Sequence, residues 1–211
     1  MNLGLGNLDD LKQFILAEAI REQTDKDAVL QVIGKGVAAS FERYCNRWFD
    51  RVDGAVDTFT ADRDTWNLSR SPVEEISSVQ TKSSDAEGWV AQEGLVQMSI
   101  LDRGFLDFGG LVADYRTHVR VTYVGGFYFE TLEPADEGYP TEQPEGSTPV
   151  PADLKYVWLC QCQAVFEAKD HLLPKGISAD GATTIPMNLK DVPMLPQVVE
   201  ILNTYRRFQI T

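Results

Sequence analysis

The stretch VRVTYVGGFYFETLEPADEGYPTEQPEGSTPVPADLKYVW, residues 119–158, carries the change from strand to helix in this chain. Its first part alternates apolar and polar residues, as a half-buried strand does, and breaks at Gly125–Gly126. A helix start follows at Pro151 and Asp153, which are residue types favoured in a first helical turn. The stretch therefore predicts a β-rich region that ends near residue 127 and a helix that begins near residue 151.

Between these elements lies a proline-rich segment, residues 127–150, that contains no Lys or Arg. Its carboxylates are Glu130, Glu133, Asp136, Glu137, Glu142 and Glu145. They supply six of the negative charges in a chain whose net charge is −13, which leaves −13 + 6 = −7 for the rest. A segment of this composition buries too little apolar surface to offset the entropy of ordering, so we expect an extended or mobile acidic loop.

The charge balance also bears on partners. A net charge of −13 disfavours a surface that grips nucleic acid through phosphates, and it disfavours an anionic membrane surface. It suits a protein that must not adhere to DNA passing nearby. No basic and apolar leader opens the sequence, and no apolar run approaches the ~20 residues of a membrane span. With three cysteines, the chain is expected to be made in a cytoplasm with reduced thiols.

Outward from the quoted stretch, the sequence predicts helices at 9–22, 25–48 and 151–172, with a β-rich region at 55–127 between them. Strand-like runs recur there every eight to twelve residues or so, which favours antiparallel pairing. Gly34 and Gly36 interrupt the second helix, which indicates close packing against its backbone. The predicted class is α+β, a helical bundle with a small inserted antiparallel sheet. We expect residues 1–173 to form the core and 174–211 an extended arm that ends in a docking helix.

Residues that could carry chemistry are few. Cys160 and Cys162 point about 200° apart on a helix and cannot share a zinc ion, and His171 lies about 16 Å further along the axis. We interpret these thiols, with Cys45, as small buried apolar side chains. Asp62 and Asp64 fit a solvated hairpin turn, and His118 fits a strand entry. The sequence thus predicts no catalytic residue, no cofactor and no metal site.

The C-terminal helix allows two interpretations. It could fold back on the core of its own chain, or it could be a latch that the arm carries to a neighbouring subunit or partner. A short helix at the end of a long arm gains stability mainly from docking.

Five segments, taken in order, resemble the head–tail connector, or adaptor, family of long-tailed bacteriophages. They are YCNRWF at 44–49, LSRSPVEEISSV at 68–79, VRVTYVGGF at 119–127, VPADLKYVWLCQCQAVFE at 150–167 and VVEILNTYRRF at 198–208. The resemblance implies a non-enzymatic virion protein that forms a ring, usually dodecameric, beneath the portal. Such a ring extends the DNA channel without binding DNA specifically and presents a surface to a stopper or tail-terminator protein.

The resemblance also implies which residues meet the portal. These are Leu195, Val198, Val199, Leu202, Tyr205, Arg206, Arg207 and Phe208. In such a ring the acidic loop would line the channel and repel DNA, or it would meet a basic neighbour; the first is our hypothesis. Alternatives are another neck component, such as a stopper or tail-completion protein, a generic interaction module, or a small hydrolase that uses Asp62, Asp64 and His118.

Overall fold

The structure is a computed structural model that describes residues 3–22, 24–60, 65–84, 88–92, 100–101, 105–107, 117–129, 142–172 and 192–207. The chain divides into two compact units. The helical unit holds the described residues within Met1–Asn46, Phe129–Glu142 and Val150–Thr211, and the strand unit holds those within Arg47–Tyr128 and Gln143–Pro149. The predicted α+β class, with helices and a small antiparallel sheet, is confirmed.

Four α-helices make up the described helical unit. They are α1 (Leu8–Ile15), α2 (Asp27–Cys45), α3 (Ala152–Leu172) and α4 (Pro196–Tyr205). The first helix was predicted to run to residue 22, but it ends at Ile15 and a separate 3-10 turn follows at Glu18–Ile20. It also begins earlier than predicted, because Asn7 caps it. The Asn7 side chain accepts from the Asp10 N–H (2.8 Å), and the Asp10 carboxylate accepts from the Asn7 N–H (3.1 Å).

The second helix also ends earlier than predicted. Asn46 adopts a left-handed conformation (φ 53°), which stops α2 at Cys45 rather than at residue 48. Trp48, the last residue of the predicted helix 25–48, instead lies outside the helix and donates its backbone N–H to the Ser69 carbonyl (2.9 Å). Asn tolerates this backbone region better than most residues, so the stop has a local cause.

Gly34 lies at a point of close packing in the helical unit. A Cβ added there would lie 3.0 Å from side-chain atoms of both Leu3 and Leu11, and these two leucines are buried. The fully buried Trp158 of α3 donates its indole N–H to the Gly34 carbonyl (3.1 Å). The glycine in α2 therefore lets the N-terminal segment and α3 approach its backbone, as the sequence indicated.

The strand unit contains a four-stranded antiparallel sheet in the order β1-β7-β3-β4 and a three-stranded one in the order β2-β6-β5. Their bounds are β1 (Val52–Thr60), β2 (Thr65–Asn67), β3 (Val73–Lys82), β4 (Val90–Ala91), β5 (Ile100–Leu101), β6 (Phe105–Asp107) and β7 (His118–Gly125). Strands β2 to β7 lie inside the predicted β-rich region 55–127, whereas β1 begins three residues before it, at Val52. The predicted antiparallel pairing is confirmed for both sheets.

A third pair, which the sequence did not predict, closes the acidic segment. Strands β8 (Phe127–Tyr128) and β9 (Thr148–Pro149) run parallel to each other. Residues 127–150 were expected to form one loop, so this expectation is wrong at both ends. The physical reason is burial, because Phe127 and Tyr128 are 6% and 3% exposed and belong to a packed interior.

A buried polar network holds the loop between β2 and β3 against the sheet. The Tyr123 hydroxyl donates to the Asp57 carboxylate (2.8 Å) and accepts from the Arg70 N–H (3.0 Å), and Ser69 donates to Asp57 through both its N–H and its hydroxyl. Burial of the phenol and the negative charge of Asp57 raise the pKa of Tyr123 to about 12, although the hydrogen bonds from Ser69 and Arg70 oppose this change.

Gly126 gives a direct test of how tightly the start of the strand unit packs. Its φ is +104°, and an added Cβ would lie 2.2 Å from the backbone carbonyl oxygen of Asp50. We expect Gly126→Ala to lower the free energy of unfolding by about 3 kcal/mol or more, since backbone strain and a backbone clash add. Urea denaturation followed by circular dichroism measures this loss.

Gly88→Ala is the matched control, because nothing lies within 4 Å of the Cβ that it would add. It should leave stability within about 0.5 kcal/mol of the original chain. Equal stability of the two variants would contradict the packing described at Gly126.

Candidate interaction surface at the C-terminal helix

Helix α4 packs against α2 and α3 of its own helical unit. It starts with Leu195 as N-cap and Pro196 in the first turn, where a missing N–H costs nothing. Val198 and Leu202 lie one turn apart and are both fully buried. Of the two interpretations of the C-terminal helix, the structure thus has it folded back on its own chain. A portal contact through Val198 or Leu202 would require α4 to leave this position.

The entry to α4 is fixed by one buried amide, that of Gln161 on α3. Its side-chain nitrogen donates to the Pro193 carbonyl (3.2 Å), and its side-chain oxygen accepts from the Leu195 N–H (2.9 Å). Gln161 is 4% exposed, so both polar ends of its amide are satisfied inside the protein. The Gln161 amide therefore supplies one donor and one acceptor to the backbone before α4, as the backbone of a paired strand does.

The far end of α4 is held by polar contacts to α2. The Tyr44 hydroxyl donates to the Asn203 side chain (2.8 Å), and the Arg207 N–H donates to the Cys45 carbonyl (2.9 Å). The guanidinium of Arg206 lies over the Tyr44 ring, 5.3 Å from its centroid, which is cation–π geometry. These contacts orient the last turn of α4 on α2.

A further contact joins α4 to the start of α3. The Tyr205 hydroxyl donates to the Asp153 carboxylate (2.7 Å). Among the residues predicted to meet the portal, Arg206 is exposed, whereas Leu195, Val199, Tyr205 and Arg207 are half-buried. Phe208 lies outside the described residues. The surface that α4 offers to a partner in this conformation therefore centres on Val199 and Arg206.

A cleft of about 420 Å³ lies beside α4. Ser40, Arg43 and Tyr44 of α2, Val165 of α3 and Met194 are among its lining residues. Its lining is mixed, with apolar side chains and the guanidinium of Arg43. Such a cleft can receive an apolar or aromatic side chain that carries a negative charge nearby.

The other candidate residues are not brought together into a site. Glu142 and Glu145 are exposed, whereas Glu130, Glu133, Asp136 and Glu137 lie outside the described residues. Asp62 and Asp64 lie outside them as well, and so does the His171 side chain. His118 lies in β7 and pairs with Thr60 and Lys82 across the sheet.

None of the three cysteines forms a disulfide bond; Cys45 and Cys162 are buried, as the sequence indicated, whereas Cys160 is half-buried. Burial raises the pKa of Cys162 well above its usual range, which keeps the thiol protonated. In the part of the chain that the structure describes, no group of three or more His, Cys, Asp or Glu residues could hold a metal ion. No described helix is long and apolar enough to cross a membrane.

Sequence reasoning did not predict the contacts that Gln161, Tyr44 and Asn203 make with each other's segments. The available signal was a glutamine on the side of α3 that also carries Val157, Trp158 and Val165, all of which are buried. A polar side chain at a core position is expected to have a specific partner. That partner could not be identified, since it lies 32 and 34 residues further along the chain.

The fold is similar to that of solved virion proteins along nearly its whole length. A chain in the neck of an empty gene transfer agent particle, computed with C6 symmetry, matches with a TM-score of 0.62 at 14% identity, over 99% of this chain and 93% of that chain. A chain in the virion of the native gene transfer agent particle matches with a TM-score of 0.59 at 13% identity, over 100% and 94%. No protein-family model matches the sequence, and no curated protein matches it significantly. At identities this low, the TM-scores show a shared fold and no more.

The hold of Gln161 on α4 can be measured directly. We expect Gln161→Ala to destabilise the docked helix by about 1–3 kcal/mol, because the Leu195 N–H and the Pro193 carbonyl lose their partner. Hydrogen exchange of the amides of α4 should then become roughly tenfold faster or more. Mass spectrometry of peptides that cover residues 195–205 measures the change.

Gln163→Ala is the control on the same helix, because Gln163 bonds only to the exposed Glu167 (2.9 Å) among the described residues. It should leave exchange in α4 unchanged. If both variants exchange like the original chain, Gln161 does not hold α4 in place.

Proposed function

We propose that this chain is a structural protein of a phage-like virion neck, a head–tail adaptor that assembles as a ring beneath the portal. The observation that carries the proposal is the likeness of fold to a neck chain of a gene transfer agent particle, which spans 99% of this chain. The five sequence segments that resemble the adaptor family support the same role independently.

The charge of the chain fits such a position. A net charge of −13 keeps phosphate groups from binding, so a genome could pass the ring without adhering to it. The acidic residues of 127–150 would add to this repulsion if they face the channel, as we propose. Exposed Glu142 and Glu145 are available for it.

The number of copies that we propose for the ring follows from the number of copies in the portal. An adaptor that matches a dodecameric portal would have twelve copies, and a ring of twelve also has sixfold symmetry. The gene transfer agent neck was computed with C6 symmetry, which is compatible with this number. We therefore propose a homo-oligomeric ring of twelve, bound to the portal above and to a stopper or tail-terminator protein below.

For the portal contact we propose the outward surface of α4. The buried Val198 and Leu202 and the hydrogen bonds of Gln161 hold the helix in place, so a portal would meet Val199, Arg206 and the residues that follow. Arginine next to aromatic and aliphatic side chains is the composition of an interface hot spot. Keeping α4 docked also spares the interface the cost of ordering a free helix.

Native mass spectrometry of the full chain mixed with the portal ring of the same virion tests the proposal. The chain should form a complex with a defined number of copies on the ring. Arg206→Glu should weaken the complex by about tenfold or more, because it reverses an exposed charge at the proposed contact.

Arg120→Glu is the matched control, since Arg120 also stacks on an aromatic ring, that of Trp89 (4.3 Å), but lies in the strand unit. It should bind the portal like the original chain. A full chain with no affinity for the portal ring would contradict the adaptor role. Equal binding by the two variants would contradict the assignment of α4 as the contact.

A further inference from the structure

The outer side of α2 carries small and apolar side chains that are exposed. Val32 is 67% exposed and Val29 is 40% exposed, and Ala28 and Ala39 are exposed as well. Val32 lies two residues from both Leu30 and Gly34, about 200° around the helix, so it points away from the buried stripe of α2. We call this surface, together with Lys35 and Arg43, the α2 face.

Among the described residues, neither basic residue of the α2 face pairs its charge with a carboxylate. Lys35 and Arg43 are exposed, and in the described chain neither lies in an ion pair. Arg43 contacts only a hydroxyl, that of Ser40 (3.2 Å), and it borders the cleft of about 420 Å³. In a chain with a net charge of −13, this is a surface where positive charge lies beside exposed apolar side chains.

A second surface of the helical unit has the opposite charge. The rings of Phe14 and Tyr156 meet edge to face, with centroids 6.3 Å apart, and they are 37% and 58% exposed. Tyr156 lies two residues from both Leu154 and Trp158, which are fully buried, so it points away from the core. The exposed carboxylate of Asp153 lies about one turn before Tyr156 on the same side of α3, and Phe14, Tyr156 and Asp153 form what we call the aromatic face.

We infer that the α2 face of one copy binds the aromatic face of the next copy, and that this contact closes the ring. This inference rests on the proposed function. The aromatic face offers exposed rings beside negative charge. The α2 face offers an exposed apolar strip and a cleft beside the positive charges of Lys35 and Arg43, so the two faces are complementary in composition and in charge. Two different patches that meet head to tail produce a closed ring when the rotation closes.

Charge also argues against the alternative pairings between copies. Two α2 faces in contact would bring Lys35 and Arg43 of one copy against the same residues of another. Two aromatic faces in contact would bring the carboxylates together. Like charges across an interface suppress such contacts, so the arrangement of charges favours the head-to-tail contact over a twofold dimer.

A mixing experiment with two variants tests the inference. Val32→Glu breaks the α2 face and leaves the aromatic face intact, whereas Tyr156→Arg does the reverse. Both substitutions are at exposed helix positions and use residues that favour helices. Val90→Glu is the control, because Val90 is 60% exposed and lies in the strand unit.

Association is measured by sedimentation velocity on the full chain over a wide concentration range, and by native mass spectrometry on the portal ring. Each variant alone should associate at least about tenfold more weakly than the original chain, and Val90→Glu should associate like it. An equimolar mixture of the two variants should form a 1:1 pair that does not grow, because only one intact contact remains between them.

The inference is overturned if the original chain shows no contact between copies, alone or on the portal. It is also overturned if either variant assembles like the original chain, or if the mixture forms no pair. Portal binding that neither variant affects would leave the adaptor role standing without this contact. Rings that form but do not bind the portal would support this contact and contradict the adaptor role. The failure of the contact and the failure of the adaptor role can therefore be distinguished.

Discussion

The helical unit depends on the close approach of three chain segments at Gly34 and Trp158. The indole of Trp158 donates to the Gly34 carbonyl (3.1 Å), and a Cβ on Gly6 would lie 2.6 Å from the same ring. Glycine at both positions therefore sets how closely the N-terminal segment, α2 and α3 pack. The pair of helices held in this way is also the support on which α4 docks, so the position of the C-terminal helix follows from the same packing.

Polar contacts rather than apolar burial alone fix where α4 begins and ends. Val198 and Leu202 supply the buried stripe, but a stripe can slide along a groove. The amide of Gln161 at one end and the Tyr44–Asn203 hydrogen bond at the other allow one position only. A C-terminal helix held in this way offers a partner a preformed surface. The proposed portal contact therefore differs from the free latch that the sequence suggested as one alternative.

Much of the architecture could be predicted from periodicity, because strand and helix patterns depend on residues near in sequence. Strands β2 to β7 lie inside the predicted β-rich region and β1 overlaps it, and α3 lies within one residue of its predicted start. The errors arose from single residues: Asn46 stops α2 in a left-handed conformation, and burial of Phe127 and Tyr128 creates β8. The contacts of Gln161 and the ring contact between Phe14 and Tyr156 could not be predicted, since they depend on residues far apart in sequence.

The central claim, that this chain forms a ring in the neck of a virion, is tested most directly by an electron cryo-microscopy reconstruction of the neck of the particle whose genes include this chain. The account predicts a closed ring of this chain directly beneath the portal. In that ring α4 should face the portal, and the α2 face of each copy should meet the aromatic face of the next. A neck in which this chain is absent, or in which its copies do not touch one another, would contradict the account.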